Sequence, residues 1–183
     1  MKEIQSKVIL TKNKYSDQWF GNDYTINLYR GCMHGCIYCD SRSCCYGIEN
    51  FDEIKVKKDA CLILEKELMK KKRKGVIGIG AMSDTYNPFE KKLEVTRKVL
   101  KLIDKYNYGV SIDTKSHLIL RDLDILKKIN EYNNVIVKIT VTCSEDDLSK
   151  IIEPNVCVSS KRFEVIKKLS DEGIYCGVLM TPI

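Results

Sequence analysis

The chain has 183 residues, 44% hydrophobic and 31% charged, with three prolines, a composition that suits a globular core and excludes a disordered or fibrous chain. Its 31 basic and 25 acidic residues leave a net charge of +6, compatible with a phosphate-bearing partner such as DNA, though lysine-rich solvated helix faces give the same balance. No apolar run approaches a membrane span and Met1-Lys2-Glu3-Ile4-Gln5 has no apolar signal region, so a cytoplasmic protein with no membrane partner is expected.

Residues 1–23 read as an N-terminal extension to a core domain covering 24–183. The first strand pattern, 24–29, runs straight into a cysteine-rich loop. Helical spacing follows over 58–69, and 75–80 is a short apolar run bounded by glycines, as in a buried parallel strand. Pro88 can begin a helix, and Phe89, Leu93, Val95, Val99, Leu100, Leu102 and Ile103 mark its apolar face. The rhythm repeats: strand 109–114, a helix marked by Leu123, Ile125, Leu126 and Ile129, and a β-branched strand 135–142. Helix 159–169 comes next, with Gly173 at its C-cap, followed by strand 174–180. About five βα-type strands imply an α/β fold, a parallel sheet with helical crossovers and its ligand site at the strands' C-terminal ends. The sequence stops at Thr181-Pro182-Ile183 just after a strand, and a C-terminally truncated domain is expected.

Nine cysteines in a reducing compartment are not expected to form a disulfide framework. Cys61, Cys143, Cys157 and Cys176 lie in periodic segments and read as small buried hydrophobes. Cys32, Cys36 and Cys39 form a C-x3-C-x2-C triplet directly after the first strand. A structural metal site closes with four ligands, whereas a catalytic one leaves a position open. A zinc site needs Cys44 or Cys45 as its fourth ligand, and zinc folds usually pair two C-x2-C elements; only Cys36 and Cys39 form one here. A [4Fe-4S] cluster held by three thiolates, with one iron open to a cosubstrate, fits the loop and the βα repeats better.

The stretches 27–39, 80–90, 114–116, 120–126, 153–154 and 177–182 together resemble the radical S-adenosylmethionine (SAM) superfamily, and within it the spore photoproduct lyase-like (DNA repair photolyase-like) branch. The resemblance implies a partial (β/α)6 barrel with a [4Fe-4S] cluster on Cys32, Cys36 and Cys39 and S-adenosyl-L-methionine on the fourth iron. It also implies an external electron donor of flavodoxin or ferredoxin type. Reductive cleavage of SAM would yield a 5′-deoxyadenosyl radical for hydrogen abstraction, in a pocket closed to water.

By the same resemblance, Tyr38 packs near the adenine, although loop packing alone accounts for it. Gly80, Ala81, Met82 and Ser83 present backbone to the methionine amino group, although glycine there also suits tight barrel packing. Lys115 pairs the methionine carboxylate. Thr140 and Thr142 hydrogen-bond the carboxylate or ribose, or merely reflect β-propensity. Pro182 belongs to the adenine-contacting segment. Glu153 and Arg162 are expected to form a structural ion pair. His34 either donates a hydrogen bond to a cluster sulfur or is an ordinary loop residue.

Spore photoproduct lyase carries a cysteine just ahead of its Ser-Asp pair that returns a hydrogen atom to the product radical. Gly80-Ala81-Met82 here precede Ser83-Asp84 without a thiol, and Cys143 is the substitute donor this reading nominates. Two classes of substrate stay open: nucleic acid, and a small molecule or peptide. A non-catalytic zinc module is the third reading.

Overall fold

The computed structural model describes residues 2–17 and 21–181. The N-terminal segment holds β1 (Lys2–Ile4) and β2 (Leu10–Asp17), and β3 (Asn22–Ile26) is followed by the two-residue β4 (Tyr29–Arg30). The cysteine loop then leads to β5 (Lys55–Lys57), α1 (Ala60–Lys70) and β6 (Val76–Ile79). Next come α2 (Glu90–Leu93), α3 (Val95–Lys105), β7 (Gly109–Thr114), α4 (Leu123–Asn130) and β8 (Val135–Thr140). The described chain ends through α5 (Asp146–Ile152), α6 (Ser159–Asp171) and β9 (Tyr175–Leu179).

The main sheet runs β2-β3-β6-β7-β8-β9, with β2 antiparallel and the other five strands parallel, as the βα rhythm requires. Its helix-covered face is apolar: Ile26, Ile79, Ile112 and Val137 share one register row and pack with Leu64, Val99, Leu100, Ile103, Leu126 and Leu169. The opposite face carries Thr25, Gly78, Ser111, Lys138 and Thr140 and opens into a cavity. This is a partial barrel, with its core outside the sheet and its polar surface within.

Three local readings are corrected. The strand expected over 24–29 breaks after Ile26, because the chain changes sheets: β4 pairs antiparallel with β5 in a separate three-stranded sheet. The boundary at residue 23 falls inside β3, and part of the N-terminal extension, β2, pairs with β3 in the main sheet (Leu10 opposite Ile26). The helix expected from Pro88 is two helices, broken at Glu94, whose φ is +49°. The break has a chemical cause. Glu90 is fully buried, and its carboxylate accepts the Thr96 amide at 2.9 Å, capping α3 at its positive end. The same carboxylate receives the Tyr29 hydroxyl and Arg121.

Candidate functional site

The three cysteines of the triplet face one cavity of about 1230 Å³. Their loop is clamped from both sides. On one side the Cys32 amide donates to the Phe51 carbonyl (2.8 Å). On the other, the Ile37 amide donates to Ile152 (3.0 Å), and Asn155 donates its amide to His34 (3.2 Å) and its side-chain nitrogen to Met33 (2.9 Å). Gly35, at φ +73°, lies against Pro154 and Asn155, where an added Cβ would stand 3.1 Å from each. This second clamp, the segment just after α5, was not read from the sequence.

Cys36 is buried and Cys32 and Cys39 half-buried. Burial pushes the Cys32 thiol up to about 11 and also raises Cys36, against the nearby Lys115 cation. Cys44 and Cys45 are exposed and lie outside the cavity lining, so neither adds a fourth thiol to this site. Among the described residues no three His, Cys, Asp or Glu side chains converge tightly enough for a single metal ion. Three thiols lining one cavity are a ligand set that fits a polynuclear cluster, in which each would meet a different iron.

Around the cysteines the cavity is lined by the C-terminal strand ends. Gly80, Ala81, Met82 and Asp84 follow β6, Thr114 and Lys115 end β7, Thr140 ends β8, and Leu179 and Thr181 belong to β9 and its exit. Of the residues singled out from sequence, Gly80, Ala81, Met82, Lys115 and Thr140 therefore join the cysteines. Tyr38, Ser83 and Thr142 do not line the cavity. The Tyr38 hydroxyl donates to Glu153 and lies 3.0 Å from Thr142, while its ring stands 5.8 Å from the Lys115 ammonium. Ser83 is buried outside the lining. Pro182 lies outside the described residues.

Cys143 requires a correction. Val141 still donates to Leu179 (3.0 Å), after which the chain leaves the sheet, and the Cys143 sulfur sits 3.4 Å from the Glu145 carbonyl and 4.0 Å from the Ser159 hydroxyl. It is not part of the cavity lining, and the geometry gives no support to it as hydrogen donor. The buried-hydrophobe reading holds for Cys61 and Cys176, which pack on the core, but the Cys157 thiol instead donates to the Lys115 carbonyl at 3.0 Å.

Asp84 is the residue sequence reasoning passed over. One of its carboxylate oxygens accepts from Thr114 Oγ1 (2.8 Å) and the Tyr86 amide (2.9 Å), and the other from the Lys115 amide (2.8 Å). His34 Nδ1 stands 3.7 Å from that second oxygen, within ion-pair reach but too far for a good hydrogen bond. Asp84 thus joins the β6 exit, the β7 end and the cysteine loop. A carboxylate just beyond a parallel strand was a legible signal, since ligands gather there. Asp40, whose role the sequence left open, opens a short 3-10 turn and accepts from the Tyr46 hydroxyl at 2.9 Å.

Gly80 has no substitute at its position. Its φ is +102° and an added Cβ would stand 2.1 Å from the Asp113 carbonyl oxygen. Gly80→Ala is expected to cost about 2 kcal/mol or more in stability. A thermal midpoint equal to that of the parent would contradict this contact.

A parallel partial barrel with three thiols and a cation at its C-terminal end defines a class of iron-sulfur protein that binds a small charged cosubstrate. The family comparison identifies it: the model of the Radical SAM superfamily matches residues 26–183, and the chain belongs to that superfamily, whose members use a [4Fe-4S] cluster and S-adenosylmethionine. The protein MJ0683 of Methanocaldococcus jannaschii is 37% identical over 166 residues, covering 89% of this chain and 61% of that protein. A spore photoproduct lyase variant with bound AdoMet and dinucleoside spore photoproduct superposes with a TM-score of 0.67 at 20% identity, over 92% of this chain and 48% of the lyase. The cobalamin-dependent radical enzyme OxsB superposes with a TM-score of 0.55 at 12% identity, over 84% of this chain and 23% of its own. The chain thus spans less than two thirds of each of these proteins. Among the described residues no helix is long and apolar enough to cross a membrane.

Proposed function

We propose that this chain carries the catalytic core of an enzyme that reductively cleaves S-adenosylmethionine and uses the resulting radical to abstract hydrogen from a substrate. The observation that carries this is the convergence of Cys32, Cys36, Cys39, Asp84 and Lys115 on one cavity. Cys32, Cys36 and Cys39 supply three thiolates, and with Cys44 and Cys45 outside the lining one coordination position is left for the cosubstrate. Those three thiolates would hold a [4Fe-4S] cluster, which would supply the one-electron reduction that splits S-adenosylmethionine into methionine and a 5′-deoxyadenosyl radical.

The remaining work falls to this chain's side chains. The Lys115 ammonium pairs with the methionine carboxylate, a charge-assisted contact at a strand end. Asp84 fixes Lys115 through its backbone amide and offers negative charge toward the methionine amino group. Gly80, Ala81 and Met82 present backbone at the cavity wall, and Thr140 presents a hydroxyl. An electron donor of flavodoxin or ferredoxin type supplies the reductant.

For the substrate, a lyase-like action on DNA has two supports: the fold shared with spore photoproduct lyase and the net charge of +6. An alternative, a small molecule or peptide, is favoured by one observation: no cysteine beyond Cys32, Cys36 and Cys39 appears among the described residues lining the cavity. The test has two arms. Anaerobically reconstituted protein given S-adenosylmethionine and dithionite is expected to form 5′-deoxyadenosine; a colourless protein holding stoichiometric zinc would overturn the reading. DNA affinity measured across salt concentrations then separates the substrates, because phosphate neutralisation gives a steep negative slope. A flat slope assigns the small-molecule or peptide class.

A further inference from the structure

The central strands carry an ion pair on the face where the fold has no need of one. On the helix side Val110, Ile112, Val137 and Ile139 are buried apolar residues. On the cavity side Lys138 Nζ stands 2.9 Å from Asp113 Oδ1 and 2.8 Å from Ser111 Oγ. Asp113 lines the cavity with its side chain 17% exposed. Gly177, opposite Lys138 on β9, leaves open space where a Cβ would be. Ion pairs of this kind contribute little net stability, because apolar residues of similar shape serve a fold as well or better. The cosubstrate roles assigned above fall to Asp84 and Lys115 and leave this pair unused.

The adjoining wall is polar as well. Asn13 donates to Asn22 Oδ1 (3.0 Å) and accepts from Thr25 Oγ1 (2.9 Å), and all three residues line the same cavity. Gly78 makes room for Asn22, whose Nδ2 lies 2.1 Å from where a Gly78 Cβ would stand. The cavity, at about 1230 Å³, exceeds the roughly 300–1,000 Å³ of an ordinary small-molecule site. It has room for a second molecule beside one cosubstrate.

We propose that Asp113, held by Lys138, is a specificity-determining residue that accepts a hydrogen bond from an N–H or O–H donor of the substrate at the cavity floor. The proposal rests on the radical-enzyme reading of the same cavity. The group it selects is a hydrogen-bond donor such as a cyclic amide or imide edge. A phosphate or carboxylate, which only accepts, would offer Asp113 no donor.

The test uses the full chain, reconstituted anaerobically and loaded with S-adenosylmethionine. The probes are thymidine, which has an imide N–H, and N3-methylthymidine, in which a methyl group replaces that donor. Thymidine is expected to bind at least about tenfold more tightly, as befits a hydrogen bond to a charged group. The preference should vanish in the double variant Asp113→Ala/Lys138→Met, which removes both charges and leaves neither buried alone. If that variant does not fold, Asp113→Asn keeps the shape and is expected to cut the preference at least about threefold.

Iron content and S-adenosylmethionine affinity, measured on the same samples, should match the parent. A fall in cosubstrate affinity alone would assign Asp113 to the cosubstrate and overturn the proposal. Equal binding of the two nucleosides, an unchanged preference in the variants, or no thymidine binding by protein that holds iron and cosubstrate would also overturn it. Failure of the parent to hold iron and cosubstrate would instead overturn the radical reading, and this proposal with it.

Discussion

Cys36→Ala is expected to abolish 5′-deoxyadenosine formation, with a loss of more than about a hundredfold. That figure is the upper range for disturbing groups that only support a metal ligand, and Cys36 would be a ligand itself. It is the most buried of the three thiols and lies on the inner side of a loop clamped through Phe51, Ile152 and Asn155. With Cys36 gone, Cys32 and Cys39 would be the only thiolates left from the proposed triplet, too few to hold the cluster. The brown colour and iron content after reconstitution should fall together with the product. Cys44→Ala and Cys45→Ala remove exposed thiols outside the cavity and should leave both readouts at the parent level. Activity that survives Cys36→Ala, or is lost in Cys44→Ala, would refute the assignment of ligands.

The triplet and the parallel strands were legible because each is written locally. Val76–Ile79 is buried throughout and reads as the unbroken apolar run of a parallel strand, while β7 and β8 are nearly as buried and keep Val110, Ile112, Val137 and Ile139 on the helix side. The failures lie where long-range partners decide. Thr11 and Lys12 show no strand alternation, yet β3 holds them at the edge of the sheet through backbone pairing with Thr25 and Tyr24. The helix periodicity over 89–103 is continuous, and no local signal reveals that Glu90 is withdrawn into the core to cap Thr96 and receive Tyr29, sixty-one residues away. The site divides the same way. Lys115 and Gly80 could be read from their positions at strand ends. The Asp113–Lys138 pair depends on register between neighbouring strands, and the clamp from Asn155 on the cysteine loop crosses 122 residues.

The second large effect is expected from Glu153→Ala, at about 3–5 kcal/mol of lost stability, the usual result of removing one partner from a buried ion pair. Glu153 and Arg162 are each 1% exposed and approach to 2.5 Å. Arg162 spends its other donors on the Cys157 carbonyl (2.8 Å) and the Thr140 carbonyl (3.0 Å), so it cannot swing to water when the carboxylate is removed. Glu153 also accepts from Thr142 (2.9 Å) and from Tyr38, which stands between Cys36 and Cys39. The pair expected from sequence as structural therefore also braces the cysteine loop.

Burial works to raise the Glu153 carboxyl, but the Tyr38 hydrogen bond and Arg162 outweigh it and hold the pKa below its ordinary 4.5. Because the folded value is the lower one, this stabilisation is complete well above pH 4.5 and is lost as the pH falls through the folded value. Denaturant melts at pH 7 should show the full difference between parent and Glu153→Ala, and melts at progressively lower pH a shrinking one. Glu153→Gln, which keeps the shape and an acceptor, should lose less. An equal loss from Glu153→Gln and Glu153→Ala, or a difference that grows with acid, would show that charge is not what makes this contact count.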